Sequence, residues 1–354
     1  MKFFRYTILL IISILWLGGC AQPVMHLLYQ TQVIPDDYRF GDLYRLANLP
    51  SFKDPITPCP PRRNVPVNTR RVHLYLIGDS FTEPGRLSQS DLPVARYQRV
   101  VWDKQVAVQL DTTATNILLI ESVERHLREH AARPIQNILV VADSNRAPVL
   151  EPKLPFTTRL TNFVRGKGME ERLETILFSH AFFLWFRELK ATITLTAFDR
   201  LTPTTALSTS RQHLLLALDT DPANTLNAGT APLTDQEVNG LVLNLNQSAG
   251  RYRAAGFDEV LLAVIPNKTT LVDPARQPYN RLVERVQTHP ARQLPIIDVL
   301  TPYRQRPQSV YARGDSHWNC TGRAIWLDAV AKQLLTHKSD SRLACLPGTS
   351  GRSQ

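Results

Sequence analysis

Residues 72–82 read VHLYLIGDSFT. The first six residues, VHLYLI, are an almost unbroken apolar run closed by Gly78. A run of that length without polar alternation reads as a strand covered on both faces, as in a parallel sheet. Gly78 then permits a tight turn. Asp79, Ser80, Phe81 and Thr82 follow at the carboxyl edge of the sheet, where open α/β folds hold their ligands. Similar runs recur at 116–120 (NILLI), 138–141 (ILVV), 260–265 (VLLAVI) and 296–300 (IIDVL). Helical patterns lie between them, beginning with ESVERHLREH after residue 120 and continuing at roughly 169–190, 236–254, 277–288 and 321–336. Strands alternating with helices predict an α/β fold with a largely parallel sheet.

The chain has 354 residues, of which 43% are hydrophobic and 20% charged, with Gly 15 and Pro 25. This excludes a collagen, a coiled coil and bulk disorder. The formal charge of +10 comes without long basic runs and does not mark a nucleic-acid binder. Four cysteines are too few for a disulfide scaffold. No phosphate-binding loop, dinucleotide glycine fingerprint or H-E-x-x-H string occurs, so neither cofactor nor metal is expected.

Lys2 and Arg5 precede an apolar stretch, 6–19, that ends in Leu17-Gly18-Gly19-Cys20. The order of charge, apolar run and small residues reads as an export signal, and its end resembles a bacterial lipobox. That resemblance implies lipidation at Cys20 and stable anchoring, since two acyl chains suffice for it. The alternative is an ordinary signal peptide with a cysteine nearby. Ala21 follows, with no aspartate to suggest inner-membrane retention, so the expected place is the cell envelope, at the outer membrane or facing the periplasm. The expected layout is a signal over 1–20, a proline- and arginine-rich tether and entry segment over 21–70, an α/β domain over 71–338 with insertions around 142–235, and a tail over 339–354. An oxidising compartment permits one disulfide. Cys320 and Cys345 flank a helix and are the candidate pair, with unpaired thiols as the alternative. In the segment 169–191, Phe178, Ala181, Phe182, Trp185 and Leu189 recur at helical spacing, which predicts a core-facing helix. A lid or a membrane-facing helix is the other reading.

A second block, Gly314-Asp315-Ser316-His317-Trp318-Asn319, opens the last helix. A histidine two residues after an aspartate suits a general base and its orienting acid. Neither needs to lie near the nucleophile in sequence. Taken singly, Asp315 would also serve as a helix cap and His317 as a structural imidazole; with Ser80 they read as a catalytic set.

GDSFT and GDSHWN together resemble the two signature blocks of the SGNH (GDSL-type) hydrolase superfamily. The one-residue spacing in Asp-x-His, and the run VLLAVIPNKTTLVDP, resemble its alginate O-acetyltransferase-like branch. The resemblance covers roughly 72–130 and 255–336. It implies a flavodoxin-like, three-layer α/β/α domain with Ser80 as nucleophile, His317 as base and Asp315 as orienting acid. The serine block precedes the Asp-x-His block here, the reverse of the alginate-modifying proteins, and the superfamily's Gly-x-Asn-Asp string is missing. The Ser80 N–H is the expected oxyanion donor, with Arg125 and Asn145 as further candidates. Lys268 and Trp318 are candidate substrate contacts. The implied activity is a lipid-anchored serine esterase or O-acyltransferase on acylated envelope or extracellular polysaccharide, a transferase needing a membrane-embedded partner to deliver acyl groups. The alternative is a non-catalytic envelope lipoprotein using the same fold for glycan binding or assembly. A lipase is a third reading.

Overall fold

The computed structural model describes residues 2–20, 43–142 apart from 48, 55–58, 63–64, 66–67 and 69, and 181–336 apart from 225 and 277. In chain order the strands are β1 (Val72–Gly78), β2 (Arg96–Val101), β3 (Val106–Val108), β4 (Thr115–Val123), β5 (Ile138–Val140), β6 (Thr205–Leu207), β7 (Leu214–Leu216), β8 (Glu259–Ile265) and β9 (Ile296–Ile297). The helices are α1 (Lys2–Cys20), α2 (Tyr44–Ala47), α3 (Glu124–His130), α4 (Ala181–Phe198), α5 (Ala217–Thr220), α6 (Asp235–Ala254), α7 (Lys268–Val272), α8 (Leu282–Gln287), α9 (Leu300–Arg304) and α10 (Cys320–Thr336).

Five strands form an all-parallel sheet in the order β2-β1-β4-β8-β9, in a three-layer α/β/α arrangement. The order is that of doubly wound, flavodoxin-like sheets. Its switch point lies between β1 and β4, the place where such sheets bind ligands. Every residue of β1 and of β8 is buried. That burial is why both strands read as continuous apolar runs. Ile77 pairs with Ile120 and Val123 with Ile265. The loops after β1, β4 and β8 therefore emerge together at one sheet edge.

The covering helices follow from ordinary signals. Thr234 and Glu237 form a capping box that starts α6, and Val238, Leu241, Val242, Leu245, Ala249 and Tyr252 give it one buried stripe. In α10 the buried stripe runs Gly322, Trp326, Val330 and Leu334. Among the described residues no helix is long and apolar enough to cross a membrane.

Several expectations change. The run 138–141 forms a strand, but it pairs with β3 outside the main sheet. β2 was not anticipated; its sequence RYQRVV is mostly half-buried and lacks the apolar signature of an inner strand. Glu121 and Ser122 belong to β4, and the helix begins only at Glu124. In the predicted helix 277–288 only α8 is helical, entered through Arg281 at φ 60°. α4 does not bury its apolar face as expected: Trp185, Phe186, Leu189, Ile193 and Phe198 are exposed. Its packing comes instead from Ala191 and Leu195, against Leu43, Leu46, Leu49 and Phe52. Phe178 lies outside the described residues.

The segment 21–70 is expected as a tether and entry segment, and its described residues begin at 43. Its described part is docked: Asp54 holds Arg313 in an ion pair, and Arg70 donates to the Leu334 carbonyl at 2.9 Å. Cys59 forms a disulfide with Cys320. The expected Cys320–Cys345 pair is thereby excluded, because the docked entry segment brings Cys59 to the start of α10. Cys345 itself lies outside the described residues.

Candidate active site

β1 delivers Ser80 to the switch point in a single 3-10 turn, Ser80–Thr82. Asp79 caps that turn: its Oδ1 accepts the Phe81 N–H at 3.0 Å. Its Oδ2 accepts the Val123 N–H at 2.8 Å, which ties the turn to the end of β4. Gly78 is required by close approach, since a Cβ there would lie 2.2 Å from Thr82 Oγ1 and 2.8 Å from Glu121 Oε2. Ser80 is exposed, and among the described residues its N–H makes no hydrogen bond.

The loop before α10 brings the second block to the same edge. His317 Nε2 lies 2.9 Å from Ser80 Oγ, and its Nδ1 lies 2.7 Å from Asp315 Oδ1. The same carboxylate oxygen accepts the His317 N–H at 2.8 Å. With Nδ1–H donating to Asp315, Nε2 is the lone-pair nitrogen that can accept the Ser80 proton. Burial by itself would raise the Asp315 pKa, but its hydrogen bonds to His317 and the imidazole's charge hold it below the ordinary carboxylate range. Phe81 packs on the imidazole with ring centres 4.8 Å apart, fixing its plane from the side.

The other sequence candidates fall elsewhere. Trp318 is buried behind the site, 5.1 Å from the Phe81 ring and 5.5 Å from Trp326, so it packs the loop rather than meeting substrate. Lys268, expected as a substrate contact, is 1% exposed. Its ammonium donates to the carbonyls of Leu214, Ala312, Arg313 and Asp315 at 2.6–3.1 Å. It staples the Asp315 loop to β7. Arg125 is also buried: its guanidinium pairs with Asp219 at 3.2 Å and lies 5.8 Å from the Phe81 ring centre. It thus rests against the ring that packs on His317. Asn145 lies outside the described residues. Cys20 ends α1.

A cavity of about 810 Å³ opens beside Ser80. Trp102, His126, His130, Gln105, Gln136 and Asn137 are among the residues that line it. The imidazole of His130 stacks on Trp102 at 3.7 Å, and the indole N–H donates to the Glu121 carbonyl at 2.9 Å. Sequence reasoning missed Trp102, His126 and His130; the only signal was the one-turn spacing of the two histidines. It also missed Glu121, a fully buried carboxyl whose Oε2 accepts the Asp79 N–H beside the Ser80 turn. Among the described residues no group of three or more His, Cys, Asp or Glu side chains is placed to hold a metal ion. No protein-family model matches the chain, and no curated protein or solved structure is significantly similar to it.

Proposed function

We propose that this chain is an SGNH-type serine esterase or O-acyltransferase acting on acylated envelope or extracellular polysaccharide, exported and anchored through a lipidated Cys20. The observation that carries the reading is the hydrogen-bonded chain Ser80–His317–Asp315 at the switch point of the sheet. His317 takes the Ser80 proton as the hydroxyl attacks an ester carbonyl, and Asp315 stabilises the imidazolium. The alcohol leaves with the proton returned by His317. The acyl group then passes from Ser80 to water or to a sugar hydroxyl. The Ser80 N–H, lacking a partner among the described residues, is available to the developing oxyanion.

The cavity supports a polar substrate. Its polar and charged side chains, Gln136, Lys104 and Arg133 among them, suit hydroxyl groups better than an acyl tail, and Trp102 offers an aromatic surface. This weighs against the lipase reading. As a transferase the chain would draw acyl groups from a membrane-embedded partner.

Reaction with a fluorophosphonate probe tests the proposal. Wild type should label, and Ser80→Ala and His317→Ala should not. Acetate release from acetylated glycans should exceed hydrolysis of long-chain esters. A wild-type protein that is folded, unlabelled and inactive, yet binds glycan equally well with Ser80→Ala, would establish the non-catalytic alternative.

A further inference from the structure

Two carboxyl groups stand behind the Ser80 turn, and their hydrogen bonds are unequal. Asp79 accepts one backbone N–H on each oxygen, from Phe81 and from Val123, so it is equipped to carry a charge. Glu121 is wholly buried on β4. Its Oε2 accepts the Asp79 N–H and the Thr82 hydroxyl, each at 3.0 Å. Its Oε1 is sealed from solvent, and among the described residues no donor reaches it. The Asp79 carboxyl stands close by, near enough for its charge to raise the Glu121 pKa further than burial alone does. Two neighbouring carboxylates, one half-buried and the other sealed in with an oxygen lacking any donor, would be costly. A single proton on Oε1 removes both faults, because it gives that oxygen a bond to make and leaves one charge between the two groups.

We propose that Glu121 is a positioning residue for the nucleophile, keeping its own proton on Oε1 and donating it in a hydrogen bond to the Asp79 carboxylate. In that form it binds three groups of the turn at once: the Asp79 N–H, the Thr82 hydroxyl and the Asp79 side chain. It also keeps a second negative charge away from the Ser80 N–H, where an oxyanion would build up. The other charged or titratable groups facing it are few. From β2, Arg99 donates to the Gly78 and Asp79 carbonyls and reaches Thr82 Oγ1 at 3.4 Å, and Tyr97 lies near. Tyr303 of α9, whose hydroxyl donates to the Gly322 carbonyl, is near enough for the charge of Glu121 to act on it. Loss of the proton would break the link to Asp79 and loosen the turn, so Ser80 reactivity should fall at alkaline pH.

The role in reactivity rests on the serine-enzyme reading, whereas the proton itself does not, and two measurements separate them. The first is the infrared difference spectrum between wild type and Glu121→Gln near neutral pH. It should show a protonated-carboxyl band lost in the variant, and its absence would overturn the shared proton. The second is the rate of fluorophosphonate labelling of Ser80 against pH. Glutamine reproduces a neutral acid, with an amide N–H for Asp79 and a carbonyl for the turn. Glu121→Gln should therefore label within about threefold of wild type at neutral pH and lose the alkaline fall, while Glu121→Ala slows about tenfold or more. A glutamine variant as slow as the alanine variant, with its circular dichroism unchanged, would refute the positioning role. A wild type that never labels would sink the serine-enzyme reading and the positioning role with it, and leave the infrared result to stand by itself.

Discussion

Lys268 carries an ammonium group to a place that water scarcely reaches, and four main-chain carbonyls replace its hydration. Those carbonyls belong to β7 and to the loop that presents Asp315, so one side chain joins two segments about a hundred residues apart in sequence. Lys268→Met keeps most of the stem and removes every donor. Leaving buried carbonyls without partners should cost about 3 kcal/mol or more in urea unfolding, and labelling of Ser80 should slow in the protein that remains folded. An unchanged unfolding midpoint would show that the ammonium is dispensable. Asp315→Asn asks a different question at the same loop. The amide fits the space, but it lacks the charge that stabilises the imidazolium, and with its NH2 turned to Nδ1 it holds the wrong tautomer. Labelling should drop about a thousandfold or more while the melting temperature changes little. If labelling of that variant stays within a few-fold of wild type, Asp315 serves the loop and not the imidazole.

Among the elements, the disulfide gives the clearest mechanical consequence. Cys59–Cys320 links the docked entry segment to the first residue of α10, across 261 residues of chain. Closing a loop of that size removes much denatured-state freedom, by about 5–6 kcal/mol in the chain-entropy picture. Reduction, or Cys59→Ser, should lower the melting temperature by several degrees and free residues 43–59 to proteolysis, whereas Cys345→Ser should change neither. A Cys59→Ser protein as stable as wild type would place the docking energy in Leu43, Leu46, Leu49 and Phe52 instead. What was legible at this scale follows from burial. β1, β4 and β8 were read from their sequences because strands covered on both faces must be apolar throughout. β2, half-buried at the sheet edge, carries two arginines and a glutamine and leaves no such trace. The apolar spacing of α4 announced a helix but could not say what would cover it, and Trp185 and Phe186 remain exposed. Ser80, Asp315 and His317 were visible because short motifs fix them locally. Glu121, the stapling role of Lys268 and the pairing of Cys320 with Cys59 were not, because they come from segments that meet only in the fold.

For the molecule as a whole, buried titratable groups set how stability should follow pH. His130 and His213 are pushed down to about 4, in both cases first by burial and then by a neighbouring positive charge, from His126 and Lys268 respectively. Unfolding lets each bind a proton at any pH between that value and 6.5. Glu124 is raised to about 7 by burial, against the opposing bonds from Asn267 and Thr270, and Glu121 is raised well above 4.5 by burial and the charge of Asp79. Their folded values exceed the unfolded one, so their contribution is complete below 4.5 and is lost as pH rises through the folded values. Between 4.5 and 6.5 two histidines gain protons on unfolding and two glutamates release them, so these four groups nearly cancel. Above 6.5 the histidines are neutral in both states, and only the glutamate protons remain to be lost. Stability should therefore fall between about pH 6.5 and about pH 8.5, at about 1.4 kcal/mol per unit for each proton released. Urea midpoints across that range measure it directly, and the double variant Glu121→Gln with Glu124→Gln should flatten the limb. A wild-type profile already flat or rising there would mean that both carboxyls ionise in the folded protein, and the buried proton behind Ser80 would have to be abandoned with them.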